Sequence, residues 1–235
     1  MNNSRLKQAM HYQLSYFGRS FLYVYGITVA IIIALGLVIT SDTSAENVSI
    51  TGIGGVGFVH FLILGISGIR SDLRFFIQHG ISRRTTFFSH LYGSLICSAA
   101  LGLISEAFNL ILHNLLGFAF YGSAFTIQGF FTNWVTYIFT FFTAWQVGAF
   151  ISLIYYRLSK MQQIVFSVTA IAIIILAFSG GIRSLVGLGD DPGLIQTIVE
   201  NVALITGIVA WIGLLIGILA AAGNYLLLRR AQIKE

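Results

Sequence analysis

The chain has 235 residues, of which 57% are hydrophobic and only 9% are charged, and its mean hydropathy is +0.87. Soluble globular domains carry about 25% charged residues, so this composition excludes that class and predicts a protein embedded in a lipid bilayer. The net charge of +5 does not indicate a nucleic-acid partner, because the basic residues lie at the ends of apolar runs and form no contiguous patch. The single cysteine, Cys97, excludes an intramolecular disulfide.

Six apolar runs predict six transmembrane helices in one domain over residues 1–235. A helix needs about 20 residues to cross the hydrocarbon core of a bilayer. The runs that meet this requirement are 21–40, 52–69, 86–105, 132–155, 161–179 and 202–228. With the N-terminus on the cytoplasmic side, twelve of the 13 lysines and arginines fall inside and only Arg183 falls outside. We therefore predict an all-α membrane protein with both termini in the cytoplasm.

Three segments outside the spans have structure of their own. Residues 1–20 predict an amphipathic helix at the inner interface, and a frayed polar tail is the alternative. Its apolar stripe is Leu6, Met10, Leu14 and Phe17, while Arg5, Lys7, Gln8 and Gln13 lie off the stripe. The outer connection 106–131 is long and aromatic. Within the second outer connection, 180–201, the two apolar pieces 182–188 and 194–199 predict a re-entrant hairpin before the last span.

The inner loop between the second and third spans predicts a short cytoplasmic helix. Ser71 is placed to cap its start and Asp72 complements its N-terminus, while Gly80 is suited to end it in a left-handed conformation. Ser82 would then cap the third span. The short helix carries more apolar surface than water would favour, so we expect that surface to be buried against the membrane or against a protein partner.

The stretch 74–84, which reads RFFIQHGISRR, resembles the cytoplasmic loop of ABC-2-type transporter permeases of bacteria. Those loops often combine an aromatic stretch with a Gly-Ile-Ser-Arg-Arg/Lys turn before the third span. The layout is also similar over the whole chain: an interfacial helix, six spans, a split outer connection and a short basic tail. The resemblance implies the transmembrane subunit of an exporter in the bacterial plasma membrane.

The resemblance further implies which residues couple the chain to a separate ATPase subunit. The main contacts would be Leu73, Arg74, Phe75, Phe76, Ile77, His79 and Gly80, and the smaller contact would be Arg157 and Lys160. The chain has no P-loop signature, so ATP and Mg would be bound by the partner ATPase. In that family six helices are too few to enclose a transport path, so the resemblance implies a second permease chain, in a homo- or heterodimer. We expect an amphipathic or hydrophobic substrate, such as a peptide, because the spans carry few fixed charges.

Two positions inside the spans are candidates for a translocation path. His60 lies near the middle of the second span, where an ionisable residue is either functional or a neutral histidine bonded to a neighbouring helix. One face of the fourth span carries Thr136, Thr140, Thr143 and Gln146, which would either line a path or pack against other helices. Glycines on one face of the second span, Gly54, Gly57, Gly65 and Gly68, predict close helix packing. Gly213, Gly217 and Ala221 predict the same for the sixth span.

Other functions remain as alternatives. Ser67 lies in a Gly-x-Ser-Gly stretch like that of rhomboid-type intramembrane serine hydrolases, a chemistry that needs a histidine base within reach. A non-enzymatic membrane immunity or assembly factor is a third possibility. Glu106 and His113 could belong to a metal site, but a solvated outer carboxylate is the favoured interpretation of Glu106. No metal or cofactor is therefore predicted in this chain.

Overall fold

The computed structural model describes residues 3–40, 53–116, 127–169 and 192–229, which are helical apart from two short turns. Helix α1 spans Asn3–Thr40, α2 Ile53–Gln78, α3 Arg83–Leu116 and α4 Ile127–Arg157. Helix α5 begins at residue 160 and is described as far as 169, and α6 spans Pro192–Arg229. These ranges contain no strand, so the all-α prediction is confirmed for them.

Within the described residues, four helices are long and apolar enough to cross a membrane. The stretches are Gly55–Gln78, Arg83–Phe108, Gly129–Arg157 and Ala210–Arg229. They contain or overlap the second, third, fourth and sixth predicted spans. Residues 21–40 are helical as part of α1, while the fifth predicted span is helical as far as residue 169 and then leaves the described residues. Large apolar side chains such as Leu22 and Trp211, 76% and 66% exposed, face outwards as a bilayer solvent would favour.

Helix α4 lies at the centre of the bundle, because it packs against α2, α3 and α6. Its aromatic residues explain this position. Phe141 and Trp145 are buried, and both rings pack against Phe61 of α2. At the end of the bundle near the α2–α3 turn, here called the inner end, a second cluster joins α2, α3, α4 and α6, with Leu73 and Leu228 among its buried members.

The predicted glycine faces are sites of close helix packing. Gly65 of α2 and Gly148 of α4 lie where the two backbones touch, so that a methyl group on either would overlap a carbonyl oxygen of the other helix. A methyl group on Gly217 of α6 would lie 2.8 Å from Thr143 Oγ1 of α4. Small residues therefore set the separation of α2, α4 and α6.

Helix α1 differs from the prediction because it has no break near residue 20. It runs from Asn3 to Thr40 as one helix, so residues 3–20 are not a separate interfacial element. Its buried face is Ala9, Gln13, Phe17, Phe21 and Tyr25, which recur every four residues. Gln13 was predicted to lie off the apolar stripe, which is wrong, since it is fully buried. The buried face continues through the polar first half of α1. Packing of this face against α2 and α3 stabilises the helix over residues 3–20.

Helices α3, α4 and α6 also extend beyond their predicted spans. Helix α3 continues to Leu116 and α4 begins at Ile127, so much of the predicted outer connection 106–131 is helical. Residues 194–199 form the first turns of α6, which begins at Pro192, rather than a separate piece of a hairpin. Proline fits this position because the first helical residue needs no N–H donor. The other predicted piece, 182–188, lies outside the described residues.

Candidate functional site

The tip, defined here as residues 74–84, is a sharp turn that connects α2 to α3. Gly80 has a φ of +72°, a left-handed conformation that favours glycine. Its N–H donates to Ile77 O at 3.0 Å, and Ile81 N–H donates to Phe76 O at 2.8 Å. This pair of hydrogen bonds is a Schellman motif, which satisfies carbonyls at the end of α2. The prediction that Gly80 ends the helix in a left-handed conformation is confirmed.

The start of α3 is capped by Ser82, as predicted. Thr85 N–H donates to Ser82 Oγ at 3.2 Å, and the hydroxyls of Ser82 and Thr85 lie 2.8 Å apart. Thr86 N–H then donates to Ser82 O at 2.9 Å, which begins the helical ladder. Because the residues at both ends of the turn form hydrogen bonds with residues three to five positions away, the tip has a defined shape.

The predicted short helix is wrong in one respect, because α2 does not stop before it. Helix α2 runs unbroken from Ile53 to Gln78. The Ser71 hydroxyl is not an N-cap, since it donates to Gly68 O at 2.9 Å within the helix. Loss of hydropathy at Arg70 marks the end of the apolar stretch, but it does not end the helix.

The seven residues predicted to contact an ATPase divide between two environments. Leu73 and Phe76 are buried within the chain, and Ile77 is partly buried against the same inner cluster. The exposed ones are Arg74, Phe75, His79 and Gly80, together with Gln78, which the sequence did not single out. The apolar side of the segment therefore holds the tip on the bundle, and a mixed polar and aromatic side faces outwards.

Phe75 is the aromatic centre of this exposed side. Its ring stacks on Tyr12 of α1, with centroids 4.9 Å apart, and it also lies 4.2 Å from the ring of His79. His79 Nδ1 lies 2.8 Å from Phe75 O. The surface thus includes a tyrosine from α1, which the sequence could not bring to the tip without knowledge of how α1 packs.

Beneath the tip, four buried side chains from three helices form what we call the inner polar network: Gln13, Asp72, Ser89 and His90. Gln13 Nε2 donates to Asp72 Oδ2 at 2.8 Å, and Ser89 Oγ donates to Gln13 Oε1 at 2.5 Å. Asp72 Oδ2 also lies 3.2 Å from His90 Nε2, an electrostatic contact without hydrogen-bond alignment. All four residues are less than 10% exposed. Asp72 is therefore a buried carboxylate held by groups from α1 and α3.

A second group of polar contacts lies deeper in the bundle and joins α3, α4 and α6. Gln146 Nε2 donates to Ser94 Oγ at 2.9 Å, and Asn224 Nδ2 donates to Gln146 O and Gln146 Oε1 at 3.0 and 3.1 Å. Thr143 Oγ1 donates across to Gly213 O of α6 at 2.7 Å. Two members of the predicted path, Thr143 and Gln146, therefore make packing contacts between helices.

Of the remaining path candidates, Thr136 and Thr140 are partly exposed, whereas His60 is buried. Thr136 Oγ1 donates to Thr132 O of its own helix at 2.9 Å, and Thr140 is partly buried. His60 is buried, with Nε2 lying 3.4 Å from Ser20 Oγ and its ring 4.9 Å from Phe21. Ser20 and Phe21 belong to α1. His60 therefore has a partner on a neighbouring helix, as the interpretation of His60 as a neutral, hydrogen-bonded histidine requires.

The second predicted coupling element, the turn between α4 and α5, is bonded to α6 on one side and capped at the start of α5 on the other. Arg157 Nη2 donates to Leu227 O at 2.6 Å, which satisfies a carbonyl in the last turn of α6. Ser159 N–H donates to Gln162 Oε1 at 2.9 Å, as in a capping box at the start of α5. Lys160 is exposed. The turn thus presents Lys160, while Arg157 joins α4 to α6.

The residues of the alternative hydrolase and metal interpretations lie apart. Ser67 is exposed, and its hydroxyl donates to Ile63 O at 2.8 Å within α2. Within the described residues His60, His79 and His90 contact Ser20, Phe75 and Asp72, respectively. Glu106 is buried and accepts from Asn133 Nδ2 at 3.1 Å, so the predicted solvated carboxylate is wrong. The described residues hold no group of three metal-ligating side chains.

Comparison with protein-family models, with curated proteins and with solved structures found no match to this chain. Its class therefore follows from the fold alone. The chain is a helical membrane protein, with four described helices able to cross a bilayer and an ordered tip between two of them.

Proposed function

We propose that the chain is the membrane-spanning subunit of an ATP-driven exporter of the ABC-2 type in a bacterial plasma membrane. It pairs with a second permease chain, and a separate cytoplasmic subunit binds ATP and Mg and hydrolyses the nucleotide. The substrate is an amphipathic or hydrophobic molecule such as a peptide. The chain spans the membrane six times with both termini inside.

The tip is the observation that carries this proposal. It combines the Gly-Ile-Ser-Arg-Arg turn of the resemblance with an exposed aromatic ring, Phe75, between Arg74 and His79. A partly exposed aromatic flanked by charge is typical of an anchor in a protein interface. The tip is also held by backbone hydrogen bonds at both ends, so a partner would bind a preformed surface and lose little conformational entropy.

The docking surface that we propose is smaller than the sequence alone indicated. It consists of Arg74, Phe75, Gln78, His79 and Gly80, with Tyr12 at its edge. Leu73, Phe76 and Ile77 support it from beneath by packing within the chain. Lys160, at the turn after α4, is the second contact, whereas Arg157 acts through the position of that turn.

The placement of the tip on the cytoplasmic side rests on the distribution of positive charge. Twelve of the 13 lysines and arginines fall on one side of a six-span arrangement, and the tip contributes three of them. Gln78→Cys in a Cys97→Ser background tests this placement with a membrane-impermeant maleimide. Labelling only in inside-out vesicles is expected. Labelling in intact cells would exclude the coupling role.

Affinity purification of the tagged chain from its native membrane tests the partner. We expect a protein with a P-loop to co-purify, and Arg74→Glu to release it by placing a negative charge in the interface. Arg19→Glu is the matched control, because Arg19 is also exposed but lies on α1 outside the tip. Equal loss in both variants, or no P-loop protein with the parent chain, would contradict the proposal.

A further inference from the structure

The inner polar network lies directly beneath the tip and joins both of its arms to α1. Asp72 precedes the tip on α2 by two residues, and Ser89 and His90 follow it on α3. Gln13 bonds to Asp72 through its amide nitrogen and to Ser89 through its amide oxygen. One side chain of α1 is thereby bonded to both helices that carry the tip.

A buried carboxylate is an unusual group to find in a contact that only holds helices together. A carboxylate in a buried site loses its hydration, so it must be held by hydrogen bonds or by an opposite charge. Well-packed apolar side chains would usually stabilise such a position at least as well. What the polar contacts add is direction, because Gln13 satisfies both partners only at one relative placement of α1, α2 and α3.

Aromatic side chains and glycines lie beside the network. The rings of Phe17 of α1 and Trp145 of α4 pack with their centroids 4.5 Å apart. The His90 ring lies 6.5 Å from Trp145. A methyl group on Gly68 or Gly93 would be in ordinary van der Waals contact with the network, 4.0 Å from His90 Cε1 and 3.5 Å from Gln13 Oε1, respectively.

We propose that Asp72 is a positioning residue for the tip, and that the inner polar network makes α1 and the tip move as one unit. Force applied to the tip then reaches α1 through Gln13 and α3 through Ser89 and His90. The proposal rests on the proposed function only for the origin of that force. The positioning itself belongs to the isolated chain and is tested without an ATPase.

Distance measurement between spin labels tests the positioning. Labels on Gln78→Cys and Arg19→Cys, in a Cys97→Ser background and in lipid nanodiscs, report the tip relative to α1. The parent is expected to give one narrow distance distribution. Asp72→Ala leaves the Gln13 amide without its acceptor, which lowers the ratio of docked to undocked tip roughly 10-fold or more and adds a second population.

Two further variants separate positioning from general stability. Asn224→Ala removes a buried polar contact between α4 and α6 of similar kind, so it should lower the melting temperature without changing the label distances. Asp72→Asn keeps a side-chain oxygen that can accept from Gln13 Nε2, so it should retain the narrow distribution. A parent-like distribution in Asp72→Ala, equal broadening in Asn224→Ala, or broadening in Asp72→Asn equal to that in Asp72→Ala would each overturn the proposal. None of these results depends on whether an ATPase binds.

Discussion

Gly65→Ala is the substitution whose effect the structure defines most sharply. The added methyl group would overlap the carbonyl oxygen of Trp145 and lie 2.9 Å from the N of Ala149 and 3.1 Å from the Cα of Gly148. All three obstacles are backbone atoms, so no side chain can rotate away. Helices α2 and α4 would have to separate, although their contact is the centre of the bundle.

The size of the effect follows from the cost of overpacking. An extra methyl group in a close-packed interior costs about 1–3 kcal/mol, and fixed backbone neighbours place this site in the upper half of that range. For a chain of this size, about 2–3 kcal/mol corresponds to a fall in melting temperature of about 4–12 °C.

Cys97 provides the assay. It is the only cysteine, it is 6% exposed, and it packs in the core cluster with Phe61 and Trp145. A fluorogenic maleimide added to the detergent-solubilised chain should therefore react as the bundle opens, and the midpoint of the reaction during heating gives the melting temperature.

Gly26→Ala is the matched control, because a methyl group on Gly26 meets no atom within 4 Å. It should melt at the temperature of the parent or up to about 4 °C higher, since alanine favours a helix by about 1 kcal/mol relative to glycine. A Gly65→Ala melting temperature equal to that of Gly26→Ala would refute the close α2–α4 contact.

Three further pairs of substitutions can be measured in the same melting assay. Gly217→Ala should destabilise by about 1–2 kcal/mol because the methyl group would lie 3.2 Å from the Thr143 Cα, whereas Gly213→Ala, with 4.0 Å to the nearest atom, should not. Gly80→Ala should cost about 1 kcal/mol because of the left-handed φ, and an asparagine there should cost less. Ser82→Ala should cost about 1 kcal/mol through loss of the cap, while Ser82→Asp should retain it. If the two variants of a pair melt at the same temperature, the result would contradict the contact that the pair tests.

The sequence predicted the apolar helices and the turn at the tip because both have local causes. Bilayer thickness fixes how many apolar residues a span requires, so hydropathy alone located the four long helices. The roles of Gly80 and Ser82 follow from backbone conformation and from capping, which act over a few residues. Close packing at Gly65 was likewise predicted, since a small residue in an apolar helix has few other uses.

The helix ends were less predictable, because hydropathy reports where lipid ends and not where a helix ends. Helix α2 continues past Arg70 into the tip since its buried side, Leu73 and Phe76, still packs on the bundle. Helix α1 is continuous for the same reason. Such extensions depend on tertiary contacts that no local pattern contains.

The inner polar network was missed, although a signal for it existed. Gln13 lies four residues before Phe17, and Asp72 lies three residues after Ile69 and four before Phe76, so each polar residue shares the phase of a buried face. Gln13 was assigned to the polar side of its helix, and Asp72 was assigned to the N-terminus of a short helix. Helical phase was the better guide, since buried polar groups are tolerated wherever they find partners.

Photo-cross-linking at the tip tests the central claim most directly. A photoreactive phenylalanine introduced at Gln78, which is exposed, should capture a protein with a P-loop when cells are irradiated. The same group at Trp211, which is 66% exposed on the apolar side of α6, should not capture that protein. Capture of the P-loop protein from Gln78 alone is the expected result. Capture from neither position, or equally from both, would contradict the account of the tip as the docking surface for an ATPase.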